Sequence, residues 1–453
     1  MAVTKLSLWD QVAPRVYINI ALCFPNSDAS KNVSIEAHIR SALDRLAAER
    51  PDLAGQLVTP DGVNIYLQTS SSDRITLSST SDHNTRYDRL RDGKFPAGFF
   101  VHPKYAFLYP IDVGKSGPVS AVQLVFLDGG FVVLVRLHHS YADGRCLNTF
   151  LELFAAATQP NTQPSGTSDA KTNCTLALGP SITNQGGFQE LLAKCEEYTL
   201  LPAPTGPTQP PAPRTAPSPG NAPVGKIFVM DGAKLDALCK SDNTIRISKF
   251  AAMARLMTEK PEFHNPQDWT NPLKNLFAGN DSIKSYFGNA ITMANTYSIK
   301  TTGGLLKACN WKSDSTPLLT VAGAITDANK AIDEKYVLLR SALFASAPDI
   351  RRLGLSLDSA NQPSSFSANT WAFLGSKAKF WFPGMSPGSE GRLPDAIRRV
   401  QTQWATGFHG LILPARPGLE GGDLEFLPTL PGLAMEALIA DQAWMSLVKE
   451  IIE

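Results

Sequence analysis

The residues of this chain best suited to chemistry lie in one short string, Leu137-His138-His139-Ser140-Tyr141-Ala142-Asp143-Gly144. An imidazole near neutral pH can accept a proton from a hydroxyl or amine, which makes a shielded histidine a candidate general base. Upstream, Val119 to Leu127 and Phe131 to Leu137 read as strands, and Asp128-Gly129-Gly130 between them is a hairpin signal. Side chains alternate along a strand, so Phe131, Val133, Val135, Leu137 and His139 share one apolar face, with Arg136 and His138 on the other. Alternation therefore predicts that His139, rather than His138, faces the interior. Leu147, Phe150, Leu151 and Phe154 follow at helical spacing, which puts Asp143 and Gly144 at a helix entrance. There Asp143 can hold the loop and orient the imidazole. A lone core histidine is the bland alternative, but a full HHxxxDG string arises by chance in only about one in a thousand chains of this length. Adjacent strand residues point to opposite faces, so the two histidines make a poor metal pair.

The 453 residues carry 42 Lys and Arg against 41 Asp and Glu, and this balance argues against a nucleic-acid binder. An apolar fraction of 43% supports a sizeable core and excludes a disordered chain. The six cysteines form no C-x-x-C pair, so neither a zinc site nor a disulfide scaffold is expected. The N-terminal residues lack signal-peptide form, and no apolar run approaches the ~18 residues of a membrane span. The expected location is the cytosol, with no membrane contact.

Val16–Phe24 reads as a strand and Ile35–Glu49 as an amphipathic helix. Residues 201–225 hold nine prolines and cannot form a continuous helix or a central strand. This divides the chain into an N-terminal lobe (1–185), a Pro-rich crossover (186–225) and a C-terminal lobe (226–453). Beyond the crossover, strands are expected at 226–230, 290–298, 410–414 and 424–427. Helices are expected at 233–240, 248–259, 432–441 and 443–452. Strands and helices mix in both halves, so the fold class is α/β or α+β in two lobes. No heptad or similar device points to an oligomer, and a monomer is expected.

With these segments in view, the sequence resembles the BAHD-type acyltransferases, in particular their fungal trichothecene acetyltransferase-like branch. The resemblance rests on HHxxxDG and on its flanks: Leu6-Ser7-Leu8-Trp9-Asp10-Gln11, Val16–Pro25, Pro51-Asp52-Leu53-Ala54-Gly55, Tyr286-Phe287-Gly288-Asn289-Ala290 and Gly410-Leu411-Ile412-Leu413-Pro414. It implies two chloramphenicol-acetyltransferase-like lobes with a tunnel at their interface, where acyl-CoA and a small acceptor meet. His139 would deprotonate the acceptor, Asp143 would secure the loop, and Gly144 would give room beside the tunnel. Acyl-CoA would be a co-substrate, with no tightly bound cofactor and no metal. Where the family carries a DFGWG-like string, this chain reads Ala378-Lys379-Phe380-Trp381-Phe382-Pro383-Gly384. Thr370 and Trp371 remain candidate donors to the oxyanion of the thioester, with a packed core indole the alternative for Trp371. For Asn289 the expectation is a turn or lobe-packing role, and for Phe380-Trp381-Phe382 it is core packing. Cys146 is expected as a small buried residue. Two further readings compete. One is a condensation-type enzyme fed by a carrier-protein thioester. The other is a repurposed cyclase or binding protein using the same tunnel.

Overall fold

The protein is described by a computed structural model covering residues 1–103, 105, 116–160, 186–202, 222–239, 262–268, 289, 291–296, 327–355, 365–386, 389–404 and 408–453. The expected helix at 248–259 and most of the Pro-rich stretch lie outside these residues. The strands of the two large sheets are, in chain order, β1 (Tyr17–Pro25), β2 (Thr76–Arg86), β3 (Ser120–Asp128), β4 (Gly130–His138), β5 (Pro223–Gly225), β6 (Ile227–Met230), β7 (Glu262–Asp268), β8 (Ile291–Thr296), β9 (Ser365–Thr370), β10 (Ala396–Arg399), β11 (Phe408–Ile412), β12 (Leu424–Pro431) and β13 (Val448–Ile452). The helices that matter here are α1 (Leu8–Val12), α2 (Asn32–Glu49), α3 (Gly144–Thr158), α4 (Glu334–Ser346) and α5 (Gly432–Ala440).

The first sheet has five strands in the order β10-β1-β4-β3-β2. The hairpin at its centre is the expected one, with Gly129 at φ +83° and Gly130 so close to Tyr87 that a Cβ would lie 2.3 Å from its ring. One face of this sheet packs on α2 and α3, burying Ile35, Ile39, Leu43 and Leu46 of α2 with Leu147, Phe150, Leu151 and Phe154 of α3. The opposite face is covered as well, by a cluster that joins Val132 and Leu134 to Tyr87, Phe95 and Val400. Every residue of β4 is therefore buried. This corrects the one-sided reading of its alternation: a nearly continuous apolar run such as Phe131–Val135 belongs to a strand covered on both faces.

The second sheet runs β8-β7-β9-β11-β12-β6-β13, with β5 also paired to β12. One face buries Phe228, Phe426, Met435 of α5 and Trp444, and the other buries Ile227, Val229, Leu411 and Leu427. The helix expected at 443–452 is replaced by a single turn at Gln442–Met445 followed by β13. The open edge of β6 claims Ile451 and Ile452, which pair with Phe228 and Ile227. β-branched residues suit that position better than a helix end.

The boundary at residue 226 does not hold for the whole C-terminal segment. Strand β10 pairs with β1 in the first sheet, Ala396 opposite Cys23 and Arg399 opposite Ile20. Phe380 and Phe382 insert into the first core with ring centroids 5.4 and 4.9 Å from that of Phe24, the core-packing outcome for this aromatic run. The physical reason is the exposed edge of β1, which would otherwise present unpaired backbone groups. A buried ion pair then ties the sheets together: the Arg398 guanidinium of β10 lies 2.9 Å from the Glu425 carboxylate of β12, their side chains 1% and 0% exposed. Arg398 also donates to the carbonyls of Phe95 (2.8 Å) and Lys94 (2.9 Å).

Candidate active site

The sheet edge where β4 ends is shaped by short hydrogen bonds. His138 N donates to the Val119 carbonyl at 2.9 Å and His139 N to the Val16 carbonyl at 2.7 Å. The chain then turns sharply, with Tyr141 N and Ala142 N both donating to the His138 carbonyl, at 2.9 and 3.1 Å. Buried Tyr141 reaches the Asp52 carboxylate with its hydroxyl, and Asp52 is held by Arg50 at 2.6 and 3.0 Å. The segment Ser140–Ala142 is thereby pinned to a side-chain network one strand away.

Asp143 is the N-cap of α3: its carboxylate accepts from Cys146 N at 2.9 Å, and its backbone is extended. It is buried, and its charge favours the protonated form of His139. Cys146 is buried in the first core. Two variants should separate the roles of Asp143. Asp143→Ala removes the cap and should lower stability by about 0.5–2 kcal/mol in a denaturant titration, whereas Asp143→Asn keeps a capping oxygen and should lose less. Asp143→Asn removes the charge that favours imidazolium, so the acid limb of the pH–rate profile should move to lower pH. An unmoved acid limb would mean that Asp143 does not act on His139.

The two imidazoles differ, though not in the sense that strand alternation predicts. His138 is the more deeply buried, at 0% exposure, while His139 is only partly buried. His138 Nδ1 accepts from Ser140 N at 3.1 Å, which leaves the proton on Nε2, a buried atom with no partner among the described residues. Burial, reinforced by the His139 and Arg15 charges, pushes its pKa down to about 3. The unfolded chain therefore takes up this proton near pH 6.5 and the folded one only near 3, so stability should fall as pH drops through that window. Denaturation midpoints between pH 7 and 4 test this, and a His138→Gln variant should show a flatter dependence.

His139 Nδ1 is buried and has no hydrogen-bond partner among the described residues. Burial is the leading influence and lowers the His139 pKa, so the ring is neutral at pH 7 and able to accept a proton. Its backbone is fixed by two residues that sequence reasoning did not rank as site residues. Asn289 Nδ2 donates to the His139 carbonyl at 2.7 Å, and the Asp10 carboxylate accepts from Asn289 N at 2.7 Å and Nδ2 at 2.9 Å. Asp10 also accepts from Ser7 Oγ at 2.7 Å. Helix α1, which carries Asp10, is anchored by Trp9, whose indole donates to Ser341 of α4 at 3.0 Å. The available signal was the pair of flanking segments around Asp10 and Asn289, where a buried Asp and Asn far apart in sequence can be partners.

Of the other expected site residues, Gly144 opens α3 with the Phe373 ring 3.9 Å from where its Cβ would be. Thr370 ends β9 and is exposed, and Trp371 N donates to the Ile412 carbonyl at 2.8 Å. Trp371 is partly buried and packs against the cores of both sheets. The turn that follows is tied to α3, Gly375 N donating to Asn148 Oδ1 at 2.9 Å. The structure thus brings the 371–375 turn to the first turns of α3, but among the described residues no hydrogen bond joins Thr370 or Trp371 to His139. No group of three or more His, Cys, Asp or Glu that could hold a metal occurs among the described residues. No helix among them is long and apolar enough to cross a membrane.

Comparison with known proteins bears on this site. Residues 16–158 match the trichothecene 3-O-acetyltransferase-like N-terminal domain. The chain is 23% identical over 165 residues to an acyltransferase of Emericella nidulans, covering 34% of each chain. It is 24% identical over 215 residues to the trichothecene 3-O-acetyltransferase of Fusarium sporotrichioides, covering 44% of this chain and 46% of that one. The chain thus spans less than half the length of these curated relatives. In structure it superposes on the Fusarium sporotrichioides protein complexed with coenzyme A and T-2 with a TM-score of 0.70, at 17% identity and 100% coverage of both chains. The fold is that of this acyltransferase, a mixed α/β fold as the sequence resemblance implied.

Proposed function

We propose that this protein is an acyl-CoA-dependent acyltransferase that moves an acyl group from a CoA thioester to a hydroxyl or amine of a small specialised metabolite. The observation that carries the reading is His139: a neutral imidazole where β4 ends, its carbonyl held by Asn289 and the Asp143 cap of α3 following it. The named relatives support it, being acyltransferases, one of them a trichothecene acetyltransferase whose homologous structure holds coenzyme A.

In this reading His139 Nε2 takes the proton from the acceptor hydroxyl as its oxygen attacks the thioester carbonyl. The carbonyl becomes a tetrahedral oxyanion, which collapses with cleavage of the C–S bond. The CoA thiolate leaves and is protonated by the imidazolium, restoring the neutral base. Asn289 and Asp10 hold the His139 backbone against displacement, and the Asp143 charge stabilises the transient imidazolium. Thr370 and Trp371 supply donors to the oxyanion when the ligand is bound. Gly144, without a side chain, leaves the entrance of α3 open to the thioester arm. The protein acts as a monomer.

Incubation with acetyl-CoA and a panel of hydroxylated metabolites, with free thiol as the readout, tests the reading. Acceptor-dependent thiol release supports it. Failure to bind or cleave any acyl-CoA removes it in favour of a carrier-fed condensation enzyme or a repurposed tunnel. The mechanism uses no metal, so a strong chelator should leave the rate unchanged, and a large loss would point to a different chemistry.

A further inference from the structure

Between His139 and Asp143 the chain carries a phenol where a plain aromatic ring would pack as well. Tyr141 is fully buried in the first core, and its hydroxyl donates to the Asp52 carboxylate. Arg50, itself buried, grips the same carboxylate through Nε at 3.0 Å and Nη2 at 2.6 Å. A buried ion pair is often no more stabilising than apolar side chains of equal volume. What the phenol adds over a phenyl ring is one directional bond. Burial, followed by the Asp52 charge, raises the Tyr141 pKa well above 10, so the phenol keeps its proton and is no acid or base for the reaction.

The carboxylate is a fixed anchor. Arg50 N donates to the Leu46 carbonyl at the end of α2 at 2.8 Å, and Leu53 N and Gly55 N close the turn onto the carbonyls of Arg50 and Asp52, at 3.0 and 3.2 Å. This turn is joined to the start of β3: Ser120 Oγ donates to the Leu53 carbonyl at 2.7 Å, and Val119 N to the Gly55 carbonyl at 2.9 Å. Gly55 fits because a Cβ there would lie 2.8 Å from Leu67 and 2.9 Å from the Gln68 carbonyl oxygen. The other side chain that reaches out from this part of the loop is weaker, since Ser140 Oγ lies 3.4 Å from the carbonyls of Ala13 and Pro14, long for a hydroxyl donor. Tyr141 is therefore the main side-chain anchor of the chain between the imidazole and the Asp143 cap.

We propose that Tyr141 and Asp52 are positioning residues, whose bond, oriented by Arg50, fixes the backbone between His139 and Asp143 and so sets where the imidazole stands toward the acceptor. Neither touches substrate. The proposal rests on the acyltransferase reading for what the loop does, but not for the restraint itself.

The test compares wild type, Tyr141→Phe, Asp52→Asn and the double variant. Turnover of acetyl-CoA with an accepting metabolite is normalised to folded protein, and hydrogen exchange of the 138–143 segment is followed in parallel. Tyr141→Phe keeps the ring, so it should melt close to wild type while kcat falls about tenfold to a hundredfold, the cost of a slightly misplaced base. The KM for acetyl-CoA should not change, because the loop orients the base and not the donor. Exchange should quicken in the 138–143 segment, where Tyr141 N and Ala142 N bond to the His138 carbonyl, and not in α2 or the rest of β4. Asp52→Asn keeps an oxygen to receive the phenol and should lose less turnover. In a Tyr141→Phe background it should cost no further kcat, since no phenol remains for residue 52 to act through. Wild-type kcat per folded Tyr141→Phe protein, or unchanged exchange in the segment, would overturn the proposal. So would quickened exchange throughout the lobe, or equal losses for Asp52→Asn with and without the phenol. Should the Asp52 variants fail to fold, turnover and exchange of Tyr141→Phe decide. If wild type releases no thiol from any acyl-CoA, the acyltransferase reading fails, and quickened exchange confined to the segment in Tyr141→Phe still supports the restraint.

Discussion

Replacing His139 with alanine should lower turnover by about a hundredfold to ten-thousandfold, the usual worth of positioned proton transfer. The affinity for the CoA donor should change little, because the imidazole acts on the acceptor and makes no ion pair that the fold depends on. His138→Ala provides the contrast. His138 is fully buried with Nδ1 bonded to Ser140 N, so its loss should appear as lower stability, while the folded fraction keeps more activity than His139→Ala. Rates normalised to folded protein distinguish the two. Should His138→Ala be the more damaging by that measure, the catalytic assignment to His139 is wrong.

Glu425→Ala should be the most destabilising single change among those considered, at about 3–5 kcal/mol in a urea titration. Glu425 is completely buried and lies against two guanidinium groups, Arg398 and Arg416. Removing the carboxylate leaves the Arg398 charge buried between the sheets with only backbone carbonyls to receive it. The same pair joins β10 of the first sheet to β12 of the second, so the loss should also disturb the relation of the lobes. Glu425→Gln preserves shape without charge and should fall between wild type and alanine. A loss below about 1 kcal/mol for Glu425→Ala would mean that water reaches Arg398 readily and that the pair does not hold the sheets together.

Much of the first lobe was legible because its signals are local. The Asp128-Gly129-Gly130 hairpin, the α2 and α3 periodicities and Asp143 at a helix entrance each depend on residues within a few positions of one another. What alternation could not show was that both faces of β4 are covered, since the second cover comes from Tyr87, Phe95 and Val400, distant in sequence. The return of β10 to the first sheet was hidden for the same reason: nothing in Ala396–Arg399 states which edge it will pair with. At the C-terminus, Val448–Ile452 has both helix-compatible spacing and β-branched residues, and pairing with β6 decided between them. Within the site, His139 and Asp143 stood out through one contiguous string, whereas Asp10 and Asn289 became visible only as partners 279 residues apart.

The central claim is that an acyl group passes from CoA to an acceptor through the action of His139. Acetyl-CoA labelled in the acetyl group measures this directly, with label followed into an accepting metabolite by mass spectrometry, for wild type and His139→Ala at saturating donor. The account predicts labelled product with stoichiometric free CoA for wild type, and at least a hundredfold less for a His139→Ala protein that binds CoA as tightly. Equal product formation by both proteins, with CoA binding intact, would contradict it.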